Sequence, residues 1–216
     1  MTSVHPGTLS LARDPVPRAS DGVHLEWLQD LGAHSYVGTR LLDLGCGSGF
    51  VARFASVGVD IEKPKDGVFE SNSWQFVQAN LDGEDWLKEL PLQQFDMILA
   101  FDILEHLRSP VAFLEQVRKL LSPQGSLYLT TPNIQSLERL LNPDTWSGAT
   151  DPQHRILFSR YSLSFLLRKM GFETVQMKAP MRSLRWLPSW LQPPIGGQLL
   201  VQARLQSGWG NRSSHD

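Results

Sequence analysis

Short apolar runs alternate along the chain with segments of helical periodicity. The runs predict strands at Arg40–Leu44, Val57–Ile61, Trp74–Val77, Phe95–Phe101, Ser126–Thr130, Glu173–Met177 and Gln198–Arg204. Val111, Leu114, Val117 and Leu121 recur at helical spacing behind Ser109 and Pro110, which predicts a helix over Pro110–Leu121. A second helix is expected over Ser162–Met170, stopping at Gly171. The first crossover, Phe50–Ala55, has room for only about two turns. Strands alternating with helices predict an α/β chain built on a single doubly wound, mostly parallel, seven-stranded sheet.

The first strand runs into Leu44-Gly45-Cys46-Gly47-Ser48-Gly49, with Asp43 two residues before the first glycine. Such a turn lets backbone approach a nucleotide closely. A pyrophosphate would be repelled by Asp43, and the third glycine of G-x-G-x-x-G falls on Phe50. Both facts disfavour a nicotinamide dinucleotide. They favour a cationic ligand such as S-adenosylmethionine, with its ammonium and sulfonium.

Composition narrows the setting. The 216 residues fit one domain, and a 41% hydrophobic content supports a full core. A net charge of -2 argues against a nucleic-acid partner. One cysteine excludes an internal disulfide and suits the cytoplasm. No apolar run approaches the roughly 20 residues of a membrane span, and the N-terminus does not read as a secretory signal. Residues 1–22 are expected to form a mobile arm, 23–205 the domain with an insertion at 179–196, and 206–216 a mobile tail.

Over roughly residues 40–178 the chain resembles the class I S-adenosylmethionine-dependent methyltransferases. The resemblance is carried by LLDLGCGSG, VGVDIE, PLQQFDMILAFDILEHL, LLSPQGSLYLTTPN and HRILFSRYSLSFLLRKMGFETV, with Gln124 where a second glycine is common. It implies a Rossmann-like fold whose last strand is antiparallel. It also implies that Gly45, Gly47 and Gly49 contact the methionine moiety, with Cys46 as a small wall residue. Asp43 would help to hold the ammonium group. Asp60 would grip the ribose hydroxyls, with Glu62 its rival and Ile61 beside it. For the adenine, Asn80 and Asp82 compete, with Leu81 packing on the base and Phe101 a further contact.

A second constellation follows the fourth strand: Asp102, Glu105 and His106, whose spacing shares one face if Ile103–Leu107 forms a helical turn. His154 returns over the same sheet edge. These four could ligate a divalent metal. Alternatively, His106, His154 and Glu105 act in metal-free acid–base catalysis, or all serve packing and capping. The resemblance is to the branch of ubiquinone-pathway O-methyltransferases and small-RNA 2′-O-methyltransferases, where a Glu-x-x-Glu-His motif and a later His bind metal. Asp102 is one methylene shorter than that pattern.

Between the last two strands, residues 181–191 (MRSLRWLPSWL) interleave arginine with tryptophan. Peripheral membrane contact, an acceptor lid and packing on the sheet all fit. A second candidate acceptor loop, carrying Trp146, runs over Leu141–Gln153. The expected activity is O-methylation of a small-molecule hydroxyl, on a sugar or lipid precursor. A non-catalytic S-adenosylmethionine-binding module and an RNA 2′-O-methyltransferase are the alternatives, with a nicotinamide dehydrogenase third.

Overall fold

A computed structural model describes residues 26, 39–47, 57–63, 75–83, 86–91, 93–181 and 193–207. Gly49, the Phe50–Ala55 crossover, the 1–22 arm and nearly all of the 181–191 segment lie outside the described residues.

Seven strands form one sheet: β1 (Leu41–Leu44), β2 (Val57–Asp60), β3 (Gln75–Gln78), β4 (Phe95–Phe101), β5 (Leu121–Pro132), β6 (Phe172–Lys178) and β7 (Gln198–Leu205). Their order is β3-β2-β1-β4-β5-β7-β6. β1 to β5 pair in parallel, and β7 runs antiparallel to both β5 and β6. The expected fold, antiparallel last strand included, is the one observed.

Four helices are described: α1 (Pro110–Leu120), α2 (Leu137–Leu141), α3 (Ser147–Thr150) and α4 (Arg160–Lys169). On one face of the sheet, Leu42, Leu44, Ile98, Ala100, Leu127, Leu129, Leu199 and Val201 share a core with Phe113, Leu114 and Val117 of α1 and Leu163 and Leu167 of α4. Burying each large apolar side chain there stabilises the fold by about 1.5–3 kcal/mol before the entropy of ordering it is counted. Among the described residues, no helix is long and apolar enough to cross a membrane.

Element boundaries depart from the sequence expectations where tertiary pairing wins. Leu121 extends the apolar stripe of α1, yet it pairs with Phe95 and opens β5 five residues before Ser126. The strand passes close to β4 at Gly125, where a Cβ would lie 2.9 Å from the Phe95 carbonyl oxygen. Helix α4 starts two residues earlier than expected because Ser159 and Ser162 form a reciprocal capping box. Past β7, Gln206 donates from its backbone to Gly171 and from its amide to the Phe172 carbonyl.

Candidate active site

The carboxyl ends of β1, β2 and β4 bring the predicted residues to one edge of the sheet. After β1 the chain reverses through Gly45 and Gly47, with φ of 76° and 52°, a region glycine enters without penalty. The Gly45 and Cys46 amides both donate to the Val59 carbonyl, at 2.8 and 3.0 Å. The Gly47 amide donates to Asp60 Oδ2 at 2.7 Å. The turn is thereby fastened to the end of β2.

Asp43 lies beneath this turn, only 3% exposed, and its Oδ2 has no hydrogen-bond partner among the described residues. Burial, with the nearby charge of Asp60, pushes its carboxyl up to about 7. Burial also raises the Cys46 thiol.

Asp60 is half-buried and its Oδ1 accepts the Glu62 amide at 3.2 Å, while Glu62 itself is exposed. The next side chain, Ile61, is 58% exposed at the same edge. Both adenine candidates are hydrogen-bonded locally. Asp82 accepts the Arg108 amide at 2.7 Å and pairs with its guanidinium at 3.5 Å. Asn80 is exposed and uses Oδ1 for the Asp82 amide, closing a local turn over buried Leu81. Phe101 is buried at the end of β4.

Beyond β4, the expected helical turn is a short 3-10 turn at Leu104–His106. Glu105 is 0% exposed; its Oε2 accepts from Thr131 Oγ1 at 2.9 Å, and Oε1 has no partner among the described residues. Burial first, and the charge of Asp102 second, push its carboxyl up to about 8. His106 Nδ1 is likewise buried without a described partner. Its ring lies 4.8 Å from that of His154, centroid to centroid.

His154 is fixed from its far side. Its Nδ1 is 3.0 Å from the Gly148 carbonyl oxygen, which can only accept, so Nδ1 carries the hydrogen. Nε2 is then the ring nitrogen turned away from that carbonyl. Asp151 Oδ2 lies 3.7 Å from that nitrogen. The Arg155 and Ile156 amides donate to the Glu105 carbonyl at 2.7 and 3.2 Å, which locks the His154 segment over the 3-10 turn.

Ligand atoms of Glu105, His106 and His154 all lie within 4.8 Å of one another. Asp102 does not join that group. The shared-face expectation assumed helical geometry from residue 102 onward, but Asp102 has a left-handed φ of 51° and hydrogen-bonds to Thr130 and Gln198. Thr130, Thr131, Gln198 and the Gly148 carbonyl were not anticipated from the sequence. Only Asp151, three residues before His154, stood at a spacing that could have signalled its contact.

The sequence profile of a family described as a methyltransferase domain matches residues 17–177. The chain belongs to that family. Together with the sheet order, this gives it a class I methyltransferase domain. The methyltransferase is 28% identical over 121 residues to a ubiquinone biosynthesis O-methyltransferase of Aeromonas salmonicida, covering 51% of this chain and 50% of that one. It is 32% identical over 155 residues to a tRNA U34 carboxymethyltransferase of Pseudoalteromonas translucida, covering 65% and 47%. It thus spans about half the length of these curated relatives. The crystal structure of a SAM-dependent methyltransferase from Archaeoglobus fulgidus shares its fold, with a TM-score of 0.64 at 19% identity over 86% of this chain and 94% of that one.

Proposed function

We propose that this methyltransferase O-methylates a hydroxyl of a small-molecule acceptor held at the carboxyl edge of β4 and β5. The observation that carries the reading is the trio Glu105, His106 and His154, in which two buried polar atoms, Glu105 Oε1 and His106 Nδ1, lack described partners. Buried polar atoms are rarely left unpaired without a functional reason.

S-adenosylmethionine, when bound, supplies a methyl group on a sulfonium that leaves readily as S-adenosylhomocysteine. Asp43 suits its ammonium: a buried carboxylate oxygen without a described partner gains a cationic hydrogen-bond donor. Asp60 has acceptor capacity left for ribose hydroxyls beyond its two backbone donors. Leu81 and Ile61, with Asn80 or Asp82, would border the adenine side, each of the two polar side chains already accepting one backbone amide.

An alcohol is a poor nucleophile at neutral pH, so its proton must be taken as the oxygen attacks the methyl carbon. The Nε2 of His154, kept in the accepting tautomer by Gly148, is suited to receive it. The same trio fits a divalent ion: one carboxylate and two imidazoles, one with its other nitrogen already oriented by a carbonyl. Such an ion, when bound, would supply Lewis acidity to the acceptor oxygen. The charge of -2 favours a small acceptor over RNA.

The test is calorimetric titration with S-adenosylmethionine, followed by S-adenosylhomocysteine release against a panel of hydroxyl acceptors. Binding with turnover on a hydroxyl compound is expected. Absence of binding, or turnover confined to amines, would overturn the proposal.

A further inference from the structure

We infer that Asp102 is a positioning residue, held by Gln198 and Thr130 so that Ile103 covers the cofactor-binding glycine turn. The role rests on the reading of that turn as the S-adenosylmethionine cradle.

Asp102 is the one non-glycine residue with a positive φ among those described. Aspartate enters this region more readily than most residues, but still at a cost, and persists there when neighbours over-determine it. Thr130 supplies a reciprocal pair: the Asp102 amide reaches both its carbonyl and its Oγ1 at 3.1 Å, and Oγ1 donates back to Asp102 Oδ1 at 2.8 Å. Gln198 Nε2 donates to the same Oδ1 from the start of β7.

Gln198 is itself fixed. It pairs with Pro132 across the β5–β7 ladder. The two residues before it are tied to Asn133, whose Nδ2 donates to the Gly196 carbonyl and whose amide donates to the Gly197 carbonyl, each at 2.9 Å. The donor therefore comes from a rigid corner.

The left-handed reversal sets two things at once. It lays Ile103 on the glycine turn so closely that a Cβ at Gly45 would come within 2.1 Å of Ile103 Cδ1. It also begins the 3-10 turn that carries Glu105 and His106, with the His106 amide donating to the Ile103 carbonyl at 3.0 Å. Chain segments around residues 45, 102 and 198 are thus linked, from Gln198 through Asp102 and Ile103 to Gly45.

Three variants test this: Asp102→Ala, Asp102→Asn and Gln198→Leu, each checked for folding by circular dichroism and titrated with S-adenosylmethionine. Gln198→Leu keeps the side-chain bulk and guards against an unfolded Asp102→Ala. Gln198→Leu, which removes one charge-assisted hydrogen bond, is expected to weaken cofactor binding about tenfold, and Asp102→Ala, which removes two, at least as much, with kcat at saturating cofactor changing less. Asp102→Asn keeps the acceptor oxygen and tolerates a positive φ, so it should recover most of the affinity lost in Asp102→Ala. Wild-type affinity in a folded Gln198→Leu, or an Asp102→Asn as weak as Asp102→Ala, overturns the role while leaving the cofactor reading intact. A wild-type protein that gives no binding overturns both.

Discussion

Gly47 and Asp60 are joined directly, amide to carboxylate, at 2.7 Å. The acid that ends β2 thus holds the glycine turn, and on the proposed reading the ribose as well, so its removal should act twice. Asp60→Ala is expected to weaken S-adenosylmethionine binding roughly tenfold to a hundredfold. Asp60→Asn, which keeps one acceptor oxygen, should fall between. Titration calorimetry measures both; a change under about threefold in Asp60→Ala would mean that the ribose is held elsewhere.

Cofactor affinity should depend on pH through Asp43. Its carboxyl, pushed up to about 7 by burial and by Asp60, must be ionised to meet an ammonium group. Binding should tighten as pH rises through 7, and Asp43→Asn should bind weakly with a flat profile. Stability of the ligand-free protein runs the other way. A carboxyl raised from about 3.9 in the unfolded chain contributes stability that is full below that value and lost as pH rises through about 7. The melting temperature of Asp43→Asn relative to wild type should therefore improve with pH across this window.

Glu105→Gln and His154→Ala should lower kcat about 10²- to 10⁴-fold while leaving cofactor affinity near wild type. Exhaustive chelation separates the two chemistries open to the trio. Loss of turnover, restored by a divalent ion, assigns it as a metal site; unchanged turnover leaves His154 as the proton acceptor.

Gly148→Ala should cost about 1–3 kcal/mol, because the added Cβ would meet the Trp146 ring at 2.3 Å and Trp146 is 1% exposed. Since the Gly148 carbonyl orients His154, kcat should fall as well. A lower melting temperature with unchanged kcat would show that His154 needs no such anchor.

The sequence made the glycine-turn side of the site far more legible than the Glu105–His154 side. β4 was expected at Phe95–Phe101 and lies there, because Met97–Phe101 is an unbroken apolar run buried on both faces. Gly45 and Gly47 take the backbone conformations that their alternation suggested. Leu121 misled because an apolar residue continues a helix stripe and opens a strand equally well. Asp102 misled for a different reason: spacing along the chain assumes regular geometry, and its partners Thr130 and Gln198 are distant in sequence. Thr131 is hidden in the same way, as an ordinary strand residue until Glu105 is placed beside it.

The reversed direction of β7 has a practical use. Gln198 stands opposite Pro132 at the site edge, whereas Leu205 pairs with Phe172 at the other. Eight residues of strand put roughly 25 Å between the two ends. A fluorophore, an affinity handle or a sensor-chip tether attached just beyond Leu205 would sit at the edge opposite the candidate site, so binding can be followed on an immobilised protein.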